Sequence, residues 1–377
     1  MNSKKALISI FMGLIIALPM ITFFMPVKEK SELENRYLET APTPTVENIK
    51  DKTFMNKTEK FISDQFLLRE ALVATRTRLE MAQGNRYIND IFIGDNMLFE
   101  KLPTPNEKAM NENAIAINKF AKKYKHNMTT NIMLIPTASE FYPEQLPIFS
   151  QKTDQTKLIK SFTNKLNGVN TIDAFAPLSA ACDENIFYKT DPHWTSYGAY
   201  IGYTALAKTL GFKPVTHDMF NIEHCSSDFL GTHYSKILYG EKIKDKIDLY
   251  YYAPRDIFVD VIKYNGKNKQ TYPTIFFKNN LEQNNKYNVF MNGNDAVAQI
   301  KTNIRNGKKL ILFKDSFSLP LMQFLPLHYE EIVLVDLRLL KQPLSSIIDI
   351  SEYNQALFLY NMSTFVTDKS VKNVDSL

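Results

Sequence analysis

Short apolar runs alternate with amphipathic stretches through most of the chain after residue 105, and this rhythm constrains the fold more than any other feature. "NEKAMNENAIAINKFAKKYKHN" has apolar residues at helical spacing, and "TNIMLIP" follows as a short buried strand. "DQTKLIKSFTNKLNG" and "VNTIDAF" repeat the pair, and "SYGAYIGYTALAKTLG" adds a helix closed by Gly211. Towards the C-terminus come "KKLILF", the helix-like "SLPLMQFLPLHY", "EIVLVDLR" and "ALFLYN". Continuous Val, Ile and Leu runs belong to strands covered on both faces. The expectation is an α/β fold, a mostly parallel sheet flanked by helices. Residues 213–292 break the rhythm. They are rich in Tyr, Lys and Asn, with strand-like "KIDLYYYA" and "TYPTIFF", and read as a β-rich insertion forming one wall of a cleft.

The N-terminus sets the compartment. After Lys4 and Lys5, an uncharged apolar run extends from Ala6 to Met25. At about 1.5 Å per residue it is long enough to cross a hydrocarbon core of about 30 Å. Phe23, Phe24 and Met25 at its end offer no small-residue cleavage site. Residues 1–26 therefore read as an uncleaved anchor, with a cleaved signal segment as the alternative. The lysines stay inside and the body lies outside the cytoplasm. Residues 27–105 read as a separate N-terminal region. A polar, Pro-interrupted tether leads to "NKTEKFISDQFLLREALVATRTRLEMAQG", where Phe61, Leu68, Leu72 and Leu79 share a helical face and Gly84 caps the end. "YINDIFIGDNMLFEKL" reads as a β-hairpin around Gly94, Asp95 and Asn96. Residues 106–377 form the main domain.

Charge excludes one class of partner. The net charge is +5, and no basic stripe interleaved with aromatics is present, so nucleic acid is not expected. There is no P-loop and no dinucleotide-binding glycine fingerprint, and no cofactor is expected. The two cysteines, Cys182 and Cys225, suit an oxidising compartment; sequence leaves open whether they pair. His224, Cys225, Asp228 and His233 lie close together, but their spacing matches no structural zinc pattern, and no metal site is assigned.

Open α/β sheets bind ligands beyond the C-terminal ends of their strands, and two polar clusters occupy such places. Lys314-Asp315-Ser316-Phe317 follows the strand "KKLILF" directly. Ser316 on a sharp turn there could be an exposed nucleophile near backbone N–H donors; equally, Asp315 or Ser316 could simply cap a helix. Asp191-Pro192-His193-Trp194 is the second cluster. Asp and His separated by a φ-restricted Pro can be held in a fixed relation, the carboxylate orienting an imidazole that takes a serine proton. Taken together, the clusters supply the three roles of a Ser-His-Asp triad.

"TDPHW" followed by "GAY", with "KDSF" and "HYEEIVLVDLR", resembles the DHHW-type proteins. These belong to an SGNH-hydrolase-like acetyltransferase group that includes the extracytoplasmic alginate O-acetylation proteins. "SELENRYLETAP", "EKFISDQFLLR", "SSDFLGTHYSK" and "MNGNDAVAQI" resemble further segments of that family. The resemblance implies Ser316 as nucleophile, His193 as base and Asp191 as the acid orienting it. Two departures stand out: Pro192 where the family name has a histidine, and Lys314 before Asp-Ser where a glycine is usual. Further candidates are Asn294 and Asn361 as oxyanion donors, Arg338 for an anionic sugar or acyl carbonyl, and Trp194 and Tyr197 as surfaces for a sugar ring. The expected activity is O-acetylation of a cell-surface polysaccharide. The donor would be handed over by a membrane-bound O-acyltransferase, with an acetylesterase or a non-catalytic binding protein as the alternatives.

Overall fold

The computed structural model describes residues 3–150, 153–254, 256–265 and 268–376. The chain divides into two compact units, Met1–Asn89 with Tyr234–Glu241, and Asp90–His233 with Lys242–Leu377.

In the first unit, the apolar run forms helix α1, Ser3–Phe24. It is long and apolar enough to cross a membrane, and none of it is buried within the protein. Met1 and Asn2, the start of the expected anchor, lie outside the described residues. The amphipathic stretch that follows is not one helix. It splits into α2, Thr53–Gln65, and α3, Arg69–Ala82, because Leu68 adopts left-handed dihedrals (φ 60°, ψ 18°). Leu68, Leu72 and Leu79, expected on one helical face, are all at least half exposed. Gly84 does close α3, at φ +88°.

In the second unit, the hairpin around Gly94 forms as expected, Ile91–Ile93 pairing antiparallel with Leu98–Glu100. Helix α4, Glu107–Tyr124, starts where the Asn106 side chain accepts from the Ala109 N–H. The helices α5, Gln155–Thr163, and α6, Ser196–Leu210, follow, α6 ending on Gly211 at φ 67°. The strands are β1 Thr129–Ile135, β2 Val169–Ile172, β3 Phe220–Phe229, β4 Asp245–Tyr252, β5 Val259–Asn265, β6 Asn268–Tyr272, β7 Val297–Thr302, β8 Lys309–Lys314, β9 Glu331–Val335 and β10 Gln355–Asn361.

The largest sheet among the described residues has eight strands in the order β6-β5-β7-β9-β8-β10-β1-β2. From β9 to β2 all neighbours are parallel, and β7, β5 and β6 add an antiparallel edge. The stretch 213–292 thus does not stand apart. Part of it, β5 and β6, extends the main sheet, while β3 and β4 form a separate two-stranded ribbon. "SLPLMQFLPLHY" forms 3-10 turns rather than an α-helix, with Pro320 and Pro326 interrupting it.

Burial explains why the central strands read as unbroken apolar runs. Along β8, Leu310 and Leu312 join a core cluster with Trp194, Tyr203 and Leu206. Ile311 and Phe313 face the other way, into a cluster with Ile117 and Phe120 of α4. Period-two alternation between two buried faces leaves no place for a polar residue until Lys314. The C-terminal ends of β8, β10 and β1 therefore form the edge where polar chemistry can begin.

Candidate active site

Asp315 shapes the turn after β8. Its carboxylate accepts from the Phe317 N–H (2.9 Å) and from the Asn361 N–H at the end of β10 (2.8 Å). It thereby caps the 3-10 segment Ser316–Gln323 and ties two strand ends together. Asp315 is fully buried, and burial pushes its carboxyl up, with these hydrogen bonds opposing. Ser316, the next residue, is only partly covered.

The Asp191 cluster sits at the tip of a tight reversal between β2 and α6. The Tyr188 N–H donates to His193 O (3.0 Å), and the Thr195 N–H donates to Ile186 O (2.9 Å). Three donors bind the buried Asp245 carboxylate to this tip: the Lys189 N–H, the Thr190 N–H and the Thr190 hydroxyl, at 2.8, 2.9 and 2.6 Å. Trp194 anchors the base of the reversal. It is fully buried, and its indole N–H donates to Phe317 O (2.9 Å). One face of the indole lies against Gly202 of α6, where an added Cβ would stand 2.6 Å from the ring. That single hydrogen bond links the Asp-His loop to the residue after Ser316.

The two clusters meet. His193 Nε2 lies 2.7 Å from Ser316 Oγ, and His193 Nδ1 lies 2.5 Å from Asp191 Oδ1. Asp191 Oδ1 also accepts from the His193 N–H (3.1 Å), and Oδ2 from the Thr232 N–H (2.9 Å). Burial alone would raise the Asp191 carboxyl. The adjacent imidazole and these hydrogen bonds outweigh it and hold the group at about 2. The His193 ring stacks on Tyr287 at 3.9 Å between centroids, and the Tyr287 hydroxyl donates to Ser316 O (3.0 Å). Gly231 leaves room for the carboxylate: a Cβ there would lie 2.2 Å from Asp191 Cβ. A hydroxyl, an imidazole and an ionised carboxylate aligned in this way can pass a proton from oxygen to nitrogen and stabilise the resulting cation.

Asp245, Tyr287, Gly231 and Thr232 were not singled out from the sequence. Each acts through contacts across 29 positions or more, which no local pattern reveals. The only signals were the segments "SSDFLGTHYSK", which carries Gly231 and Thr232, and "KIDLYYYA", which follows Asp245 closely.

The remaining candidates need correction. Trp194 is buried completely and holds the loop rather than a sugar. Asn361 is also buried; its side chain donates one amide hydrogen to Ile135 O (3.1 Å) and accepts from the Ser363 N–H (2.9 Å), which fixes it at the end of β10. Arg338 makes a two-pronged pair with the buried Asp336 (2.9 and 2.7 Å). Tyr197 packs partly buried against Tyr200 and His217. Asn294 is exposed, and its Oδ1 accepts from Lys314 Nζ (2.5 Å). Lys314 itself is buried, which lowers its ammonium to about 8, with Asp336 opposing. It occupies the usual glycine position as the last residue of a strand, pointing away from the nucleophile turn towards Asn294 and Asp336. His224, Asp228 and His233 go to separate partners, Asp248, Lys286 and Leu98 O. Cys182 and Cys225 are both free.

Solved structures share this fold. Among curated proteins, none matches the sequence. A DHHW family protein from Eubacterium siraeum aligns over 77% of this chain and 95% of its own, at 24% identity and a TM-score of 0.65. PatB1 from Bacillus cereus, solved with a sulfonyl adduct, aligns over 74% of this chain and 96% of its own, at 18% identity and a TM-score of 0.63. The O-acetyltransferase domain of Pseudomonas putida AlgJ aligns more loosely, at 14% identity over 76% of this chain and 98% of its own, with a TM-score of 0.47. The model of the DHHW protein family matches residues 105–335, a span that holds Asp191, His193 and Ser316. The chain belongs to the DHHW protein family.

Proposed function

We propose that this protein is a membrane-anchored, extracytoplasmic O-acetyltransferase that modifies a cell-surface polysaccharide through an acyl-serine. The observation that carries the reading is the unbroken hydrogen-bonded line from Asp191 through His193 to Ser316. His193 Nε2 takes the Ser316 proton as Oγ bonds to the carbonyl carbon of an acetyl donor. The tetrahedral oxyanion is met by backbone donors. The Ser316 N–H, first in the 3-10 segment, has no intrahelical acceptor by position. Collapse expels the donor's leaving group, which takes the proton from His193. A sugar hydroxyl then attacks the acetyl-serine, giving its proton to His193, and Ser316 Oγ recovers a proton as the acetyl ester leaves. The ionised Asp191 stabilises imidazolium in both halves.

A groove supports a polymeric acceptor. Beside Pro192, adjacent to His193, a small crevice is lined by Ser139, Glu100 and Thr137. It shares Ser139 and Glu100 with a groove of about 510 Å³ that runs past Lys101 and Asp154. Helix α1 supports a tether with residues 27–377 outside the cytoplasm, and the donor would arrive through a membrane-bound O-acyltransferase.

The test is transfer. Wild-type protein incubated with an activated acetyl ester and candidate oligosaccharides should yield acetylated sugar by mass spectrometry. Ser316→Ala and His193→Ala should each lower the yield by about 10³-fold or more. Acetate without sugar ester would assign an acetylesterase; Ser316-independent behaviour of folded protein would leave only a binding role.

A further inference from the structure

The ion-pair cluster that follows α1 plays no part in the chemistry above. Arg36 grips Asp64 with two hydrogen bonds (2.9 and 2.6 Å) and Glu34 with a third (2.7 Å). Arg69 binds the other Glu34 oxygen (2.7 Å) and Ser63. The Asp64 and Glu34 side chains are almost wholly covered, and Arg36 holds the Asp64 carboxyl below its usual range. This lattice fixes the α2–α3 elbow, residues 66–68, to the chain leaving α1. Two further clasps reach α1 itself and the residues just after it. The Leu67 N–H donates to Thr22 Oγ1 within α1 (3.0 Å). The Gln65 amide pairs with both backbone groups of Lys28 (2.9 Å each).

What the lattice holds in place is an apolar surface. Leu68 is 60% exposed, in left-handed dihedrals that disfavour a branched side chain, at a helix start where Ser, Asp or Asn would cap. In water that residue is wrong on all three counts. Val27 and Ile62 are similarly exposed. All three line one cleft of about 720 Å³ together with Pro19 and Phe23, residues of the apolar helix. A cleft whose wall is the end of a membrane span opens at the depth of the lipid.

Resting on the reading of α1 as a span, we propose that the α2–α3 elbow seats in the interfacial layer of the bilayer, with a lipid acyl chain filling this cleft. The elbow then acts as a second, shallow foothold beside the span. The ion-pair lattice sets its depth, so the first unit does not swing freely on a single helix.

The experiment uses the full chain with Cys182→Ser and Cys225→Ser, carrying one new cysteine at a time: Ile16→Cys in the span, Leu68→Cys at the elbow, or Lys57→Cys, exposed about two turns before the end of α2. Each is labelled with a fluorophore and reconstituted in phosphatidylcholine vesicles containing lipid nitroxide-labelled near the glycerol end of the chain or, in a second set, near its methyl end. The expected result is quenching at Leu68 several-fold stronger than at Lys57, reduced towards the Lys57 level by Arg69→Ala. If Ile16 is quenched by chain-labelled lipid and Leu68 is not, the elbow faces water or a protein partner and the proposal is overturned. If Ile16 itself escapes quenching, it is the reading of α1 as a span that falls.

Discussion

Gly231 has no side chain because Asp191 occupies the space a Cβ would need: it would lie 2.2 Å from Asp191 Cβ and 2.5 Å from Oδ2. Gly231→Ala should therefore push Asp191 away from His193. We expect a loss of about 1–3 kcal/mol in stability from overpacking, with a larger fall in activity than in folded yield, read from kcat beside a thermal melt. Tyr287 makes a different contribution. Its ring stacks on His193 and its hydroxyl donates to Ser316 O. Tyr287→Phe keeps the stack and removes a hydrogen bond of about 1 kcal/mol, so kcat should fall only a few-fold, while Tyr287→Ala should cost far more. Two buried carboxylates give opposite pH signatures. Asp191 is depressed to about 2. It contributes stability above the unfolded value of about 3.9, lost as pH falls through about 2. Burial raises Asp245 to about 6. Between about pH 4 and that value the unfolded chain releases a proton that the folded protein keeps, so stability falls as pH rises. Asp245→Asn should remove that downward slope from a plot of melting temperature against pH.

At the scale of elements, the site depends on one reversal and one turn, held by Trp194. Trp194→Ala should cost about 3–5 kcal/mol through lost packing. Because the indole also donates to Phe317 O, the cavity variant should lose its register between His193 and Ser316 even where it folds. A serine-directed probe should then react more slowly while the far-ultraviolet spectrum stays native. Leu68→Asn belongs to the same scale. Asn tolerates left-handed dihedrals and caps a helix, so it should raise the melting temperature of detergent-solubilised protein, the gain being about 1 kcal/mol. The sequence made some of this legible. Asp191, His193 and Ser316 stood out because two polar clusters beside predicted elements together supply the three roles of a triad, whereas either cluster alone reads as a cap or a turn. Trp194 and Arg338, further candidates beside them, went to neighbours instead: Trp194 to the core and Arg338 to Asp336. Whether a polar or aromatic group near a site faces a ligand or a neighbour depends on contacts between distant segments, and periodicity carries no information on those.

At the scale of the whole molecule, the parallel half of the sheet was readable and the antiparallel edge was not. Strands buried on both faces announce themselves as apolar runs, as β8 and β10 do. β5 and β6, at the edge, carry Lys263, Lys269 and Gln270 among apolar residues, a pattern shared with any surface hairpin. The α2–α3 break was hidden for a related reason. The apolar spacing through Leu68 and Leu79 is helical on either side, and only the left-handed Leu68 interrupts it. The enzymatic account rests on Ser316 becoming acylated. Full-length protein treated with an activated acetyl ester, or with a serine-directed sulfonyl fluoride, should gain one acyl or sulfonyl group. Peptide mapping should place it on Ser316, with uptake slowed strongly in His193→Ala. A folded wild-type protein that takes up no group, or takes it up on another residue at a rate indifferent to His193, would contradict the account.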